Sequence, residues 1–144
     1  MSEKLQTLII EDEELARNLL RSYLKDHPDI EVIGECENGF DGVKAINEKK
    51  PDLVFLDIQM PGINGIETSH QLRAADPVVA LVFITNMEQY AINGYEVDAL
   101  DFVIKPINYY RFSSMMLRAL RNLPVRDEKE VILQAAGTIR RMRI

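Results

Sequence analysis

Five short apolar runs, separated by segments of helical periodicity, constrain this chain more than any other feature. Leu8–Glu11, Glu31–Cys36, Asp52–Asp57, Val78–Thr85 and Ala99–Lys105 read as strands. Between the first two, Leu15, Leu19, Leu20 and Leu24 recur at helical spacing, after acids that suit a helix N-terminus. Asp41–Lys50 holds Val43 and Ile46 on one helical face and stops before Pro51. Glu67–Ala74 carries Leu72, a short helix is predicted around Gln89 to Asn93, and Tyr110–Leu123 bears Met116, Leu117 and Leu120. Five strands alternating with five helices predict a parallel sheet covered on both faces. The runs are near-continuous rather than alternating, so the central strands should be buried on both sides. The fold class is a three-layer, doubly wound α/β domain ending near Pro124.

Composition narrows what such a domain does. A chain of 144 residues, 47% hydrophobic, supports one sizeable core rather than two. A formal charge of −6 argues against an autonomous binder of nucleic acid or anionic membrane. The single cysteine, Cys36, excludes an internal disulfide and fits a reducing compartment. The opening "MSEKLQTLII" lacks a signal-peptide pattern, and the longest apolar stretch, Val78 to Ile84, is too short for a bilayer span. The expected setting is the cytoplasm, without membrane contact. Beyond residue 123 the character changes. Residues 124–130 form a charged linker, and residues 131–144 resemble a β-hairpin turning at Ala136-Gly137. An isolated hairpin is marginal in water, so it should pack on the domain, on another chain, or on something beyond it.

Polar residues end the apolar runs. The first strand delivers Glu11 and Asp12, the third Asp57, the fourth Thr85 and the fifth Lys105. In an open α/β sheet, ligands bind outside the carboxyl ends of the strands. Each residue alone has an ordinary account: Asp12 as a helix cap, Asp57 as a turn former, Thr85 as a cap, Lys105 as a solvated strand end. Their coincidence at one edge favours a site. Clustered carboxylates repel unless a cation joins them, and oxygen-only ligands suit Mg²⁺. A carboxylate beside Mg²⁺ can attack phosphorus to give an acyl phosphate, with Lys105 and the Thr85 hydroxyl engaging phosphoryl oxygens. Asp57 is then the acceptor, presented by a rigid strand.

The segments "LIIEDEELAR", "PDLVFLDIQMPGINGIE", "VFITN" and "DALDFVIKP" resemble the receiver domains of bacterial two-component response regulators, over roughly Leu5 to Leu123. The resemblance implies a flavodoxin-like strand order 2-1-3-4-5 and a phosphorylation-activated switch, not an enzyme, that takes a phosphoryl group from a sensor histidine kinase and assists its own phosphorylation and dephosphorylation. By position, Asp57 matches the phosphoacceptor, Glu11 and Asp12 the acidic metal pair, and the backbone carbonyl of Gln59 the third Mg²⁺ ligand. Thr85 matches the switch hydroxyl, Lys105 the family's lysine and Phe102 the aromatic switch. Lys105-Pro106 matches a bond usually cis in the family. Residues 1–123 are then the receiver.

"EDEELAR" and "AINGYEVDALDFVIKPI" look most like LytTR-type regulators, in which a β-rich DNA-binding domain follows the receiver. Residues 131–144 resemble the opening strands of that domain, so DNA would be bound only through a downstream domain incomplete here. That resemblance also implies homodimerisation through the fourth helix, fifth strand and last helix, a surface including Tyr90, Tyr95, Val97, Leu100, Asp101, Tyr110 and Arg111. Two departures stand out: Glu11 replaces the commoner Asp, and Asn86 follows Thr85 where a small residue is usual. A phosphatase of the haloacid dehalogenase type needs a second acid at the position of Gln59. A flavodoxin-like flavin binder needs a Gly- and hydroxyl-rich loop where this chain has "EDEE". A degenerate receiver acting only as a binding module is disfavoured by the intact acids and lysine.

Overall fold

Strands and helices alternate through the computed structural model, which describes residues 4–59, 65–86 and 97–123. In chain order they are β1 (Leu5–Ile10), α1 (Glu14–Leu24), β2 (Ile30–Cys36), α2 (Gly39–Lys49), β3 (Leu53–Asp57), α3 (Gly65–Ala75), β4 (Ala80–Thr85), β5 (Asp101–Ile104) and α4 (Tyr109–Arg121). The strands form one parallel sheet in the order β2-β1-β3-β4-β5, which is flavodoxin-like. Four helices lie among the described residues. The helix predicted around Gln89 to Asn93, the linker 124–130 and the hairpin 131–144 fall outside them, as do Tyr90 and Tyr95.

Every residue of β3 and β4 is buried, as near-continuous apolar runs require of strands covered on both faces. Successive strand residues enter opposite layers. Leu5, Ile9, Leu53, Phe55, Val82 and Ile84 pack with Leu20 and Leu24 of α1 and with Phe112, Met115 and Met116 of α4. Leu8, Ile10, Val54, Leu56, Leu81 and Phe83 pack with Ala45 and Ile46 of α2 and Leu72 of α3. β1 begins three residues earlier than its apolar run because Thr7 is fully buried within it, its hydroxyl donating to the Leu5 carbonyl at 3.3 Å.

Two leucines assigned to helical core stripes face solvent: Leu15 is 83% exposed and Leu117 is 60% exposed. Conversely, Val97, placed on a predicted dimer surface, is buried in the core. Asn38 caps α2 by accepting the Asp41 amide at 2.8 Å, and Asn108 caps α4 by accepting the amides of Tyr110 and Arg111. Below the sheet, Arg73 of α3 donates to the carbonyls of Val97 at 2.8 Å, Val79 at 2.7 Å, Asp76 at 3.2 Å and Asp98 at 3.3 Å. One guanidinium thereby ties the end of α3 and the entry to β4 to the chain leading into β5.

Candidate functional site

β1 ends beside β3, and its last backbone bond fixes where the acids start. The Glu11 amide donates to the Cys36 carbonyl at 2.9 Å, extending the β1–β2 ladder by one residue. The Glu11 carboxylate is fully buried, and its Oε2 accepts the Glu13 amide at 3.0 Å. Arg17 reaches back from α1 to donate to the Glu11 carbonyl at 2.8 Å, and its guanidinium pairs with Glu35 at 3.5 Å. Asp12 does not cap α1. That position belongs to Glu13, which makes no side-chain cap hydrogen bond.

Asp57 closes β3 opposite Ile84, is 1% exposed, and accepts the Gln59 amide on Oδ1 at 2.9 Å. Ligand oxygens of Glu11, Asp12 and Asp57 all lie within 4.8 Å of one another. The cluster is built of hard oxygen donors, and Glu11 Oε1 is a buried oxygen with no hydrogen-bond partner among the described residues. Such a donor set fits Mg²⁺.

Lys105 reaches the same mouth from the end of β5, where its amide donates to the Thr85 carbonyl at 2.7 Å. Its Nζ lies 3.0 Å from Glu11 Oε1 and 3.5 Å from Asp57 Oδ2, and donates to Glu13 Oε1 at 2.7 Å. The contact with Glu11 is an ion pair without hydrogen-bond alignment. Burial pushes the Asp57 carboxyl up to about 8, and the neighbouring Glu11 carboxyl adds to the rise; the Gln59 amide and the Lys105 charge oppose it. For Lys105, burial disfavours the charged form, but the hydrogen bond to Glu13, the ion pair with Glu11 and the charge of Asp57 together outweigh it and hold the ammonium above its usual value.

Thr85 is fully buried at the end of β4 and joins the cluster through Gln59. Its hydroxyl donates to Gln59 Oε1 at 3.5 Å, and the Asn86 amide donates to the same oxygen at 3.2 Å. The Lys105-Pro106 peptide is cis. Phe102 lies apart from the acids: it is 37% exposed and borders a groove of about 360 Å³ between β5 and α4, lined also by Tyr110, Arg111 and Arg118.

Glu11, Asp12, Asp57 and Lys105, singled out from sequence, thus meet directly, and Thr85 meets them through one side chain. Two contributors escaped that reading. Glu13 stands in the sequence only among the acids at a helix start, and nothing there marks Arg17. The "EDEE" run flags the first only once β5 is known to approach it.

A model of the response regulator receiver domain matches residues 7–116. The transcriptional regulatory protein BtsR of Escherichia coli (strain K12) is 41% identical over 116 residues, spanning 79% of this chain and 47% of that protein. A response regulatory protein of Vibrio cholerae is 44% identical over 119 residues, spanning 81% of this chain and 49% of its own length. The chain spans about half the length of the curated relatives it matches. Among solved structures, the response regulatory domain of mrkE from Klebsiella pneumoniae superposes with a TM-score of 0.74 at 28% identity, covering 81% of this chain and 95% of that one. The response regulator domain of Thermotoga maritima CheB gives 0.73 at 26% identity, covering 83% and 95%.

Proposed function

The chain belongs to the response regulator receiver domains, and from that premise we propose that Asp57 accepts a phosphoryl group from the phosphohistidine of a sensor kinase. An Asp57 carboxylate oxygen forms the new bond to phosphorus, the bond from phosphorus to the kinase imidazole breaks, and the imidazole leaves with its electron pair. The observation that carries this reading is the meeting of a buried strand-end carboxylate with two further acids within 4.8 Å and an ammonium 3.5 Å away. Glu11, Asp12, Asp57 and the Gln59 carbonyl would hold Mg²⁺, which when bound supplies positive charge against the acids and the phosphoryl oxygens. Lys105 donates to a phosphoryl oxygen, and the β3 backbone holds Asp57 in line. In this reading the domain assists its own phosphorylation and dephosphorylation while acting as a switch.

The output follows from Thr85 and Phe102. A phosphoryl group on Asp57 draws the Thr85 hydroxyl off Gln59, the end of β4 moves, and Phe102 rotates inward from its half-exposed position. The face altered includes β5 and α4, where Tyr110 is 80% exposed, and it is the face we assign to a phosphorylation-dependent homodimer. Residues 1–123 act as the receiver, 124–130 as a linker and 131–144 as the start of a LytTR-type DNA-binding domain in a cytoplasmic transcription regulator. The LytTR-like motifs, the greater length of the relatives and the name of BtsR support that output. Among the described residues no helix is long and apolar enough to cross a membrane.

The direct test is labelling with acetyl phosphate, with and without Mg²⁺, read by intact and peptide mass spectrometry. The expected result is a single Mg²⁺-dependent phosphoryl adduct on Asp57, absent from Asp57→Asn. An adduct elsewhere, or none in the wild type, overturns the reading.

A further inference from the structure

Lys105 gives its shortest contact to a residue that the reading above leaves without a task. Its Nζ is 2.7 Å from Glu13, against 3.0 Å from Glu11 and 3.5 Å from Asp57. Glu13 occupies the N-cap of α1 in an extended conformation, yet its carboxylate caps nothing and reaches for β5 instead. β1 and β5 are three strand spacings apart in the sheet order, about 14 Å. Two long side chains bridge that gap past the end of β3, where Asp57 lies. The three acids around the ammonium differ in freedom. Glu11 is fully buried with one oxygen already committed to the Glu13 amide, and Asp57 is buried at a strand end, whereas the Glu13 side chain is 63% exposed. A part-exposed ion pair is weak and opens readily. Glu13 is therefore the partner that can release Lys105 without leaving a buried charge unpaired.

We propose that Glu13 is a positioning residue that keeps the Lys105 ammonium drawn toward α1, with only a long 3.5 Å hydrogen bond to Asp57, until a phosphoryl group draws it away, so that opening of the Glu13–Lys105 pair belongs to phosphoryl uptake. This rests on the reading of Asp57 as phosphoacceptor. Removing Glu13 takes away the shortest of the three carboxylate contacts on the ammonium, which then meets the incoming phosphoryl group more readily, and the gain appears in the maximal rate. A mere loss of negative charge at the mouth acts instead on how well an anionic donor binds, and any nearby exposed acid would reproduce it. Glu14, next in sequence, exposed and at the start of α1, is that control.

The test uses the whole chain with Mg²⁺ and acetyl phosphate, following label on Asp57 against donor concentration. Glu13→Gln should raise the maximal uptake rate by roughly two- to fivefold, the factor that breaking a part-exposed ion pair commands. The half-saturating donor concentration should stay near the wild-type value, and Glu14→Gln should leave the maximal rate unchanged. In a Lys105→Ala background, Glu13→Gln should give no further gain, the signature of a coupled pair. As a second readout, the NMR resonance of the Lys105 ammonium should shift in Glu13→Gln and not in Glu14→Gln. An unchanged maximal rate in Glu13→Gln, an equal gain in Glu14→Gln, or a gain that persists without Lys105 overturns the proposal while leaving Asp57 as acceptor. Absence of label on Asp57 in the wild type removes both.

Discussion

Gln59 and Asn86 are joined across the mouth of the sheet: the Asn86 amide donates to Gln59 Oε1 at 3.2 Å, and the Thr85 hydroxyl shares that oxygen at 3.5 Å. A side chain two residues beyond Asp57 thus restrains the end of β4. Gln59→Ala should cost only about 0.5–1.5 kcal/mol, the net worth of a typical hydrogen bond. Its sharper effect is local, with faster amide hydrogen exchange at Asn86. Unchanged exchange there would show that the bond carries no restraint.

Gly65 opens α3 directly behind the end of β3, its amide donating to the Ile58 carbonyl at 3.1 Å. A β-carbon there would overlap the backbone of Ile58 and Asp57 rather than a yielding side-chain tip. Gly65→Ala should therefore destabilise by about 1–3 kcal/mol in urea unfolding, the cost of overpacking. A wild-type midpoint would mean that the strand end gives way more easily than its burial implies.

Asp57 makes stability depend on pH in an unusual direction. Its carboxyl is raised from 3.8 to about 8 by burial and by Glu11, so the folded state holds a proton that the unfolded chain has lost. Stability from this group is full below about 3.8 and falls as pH rises toward about 8. Between pH 5 and 8, in roughly that window and without divalent cation, the wild type should lose more melting temperature than Asp57→Asn. Parallel curves for the two proteins would exclude the raised carboxyl.

Mg²⁺ should act on the same charges from the other side. A cation that binds only the folded state stabilises by mass action, so saturating Mg²⁺ should raise the melting temperature by about 2–5 °C. Asp12→Asn should lose most of that gain. A full response in this variant would show that the three oxygens near one another are not the metal ligands.

Self-association supplies the test of output. Beryllofluoride with Mg²⁺ should tighten a weak dimer, measured by sedimentation velocity. Tyr110, 80% exposed on α4, is a suitable anchor, and Tyr110→Ala should weaken the dimer by about 1–2 kcal/mol. One unchanged monomer in every condition would remove dimerisation from the mechanism without touching the proposed role of Asp57.

The sheet and the mouth were legible because strand burial leaves a direct mark. An apolar run that ends abruptly in Asp57 or Lys105 announces both a buried strand and its exit. Side-chain reach leaves no such mark. The bond from Lys105 to Glu13 joins residues 92 apart, and only a fold that brings the carboxyl ends of all the strands to one edge reveals it. Leu15 was misread for a related reason: periodicity finds a helical stripe but not where the stripe overruns the sheet. Leu15, in the first turn of α1, is 83% exposed while Leu20 and Leu24 on the same helix are buried. Val97 erred the opposite way, because a short apolar segment before a strand reads equally as surface or core.

The four carbonyl bonds of Arg73 have a mechanical consequence. They anchor the chain just ahead of β5, at Val97 and Asp98, at the end of the sheet away from Lys105. Along Asp101–Ile104 the strand rises about 10 Å. With one end clamped, a displacement that starts at Lys105 cannot slide the strand along its axis. In the switching proposed above it should swing instead, with β5 as a short lever, Arg73 as its fulcrum and the largest excursion at the end nearest the acids.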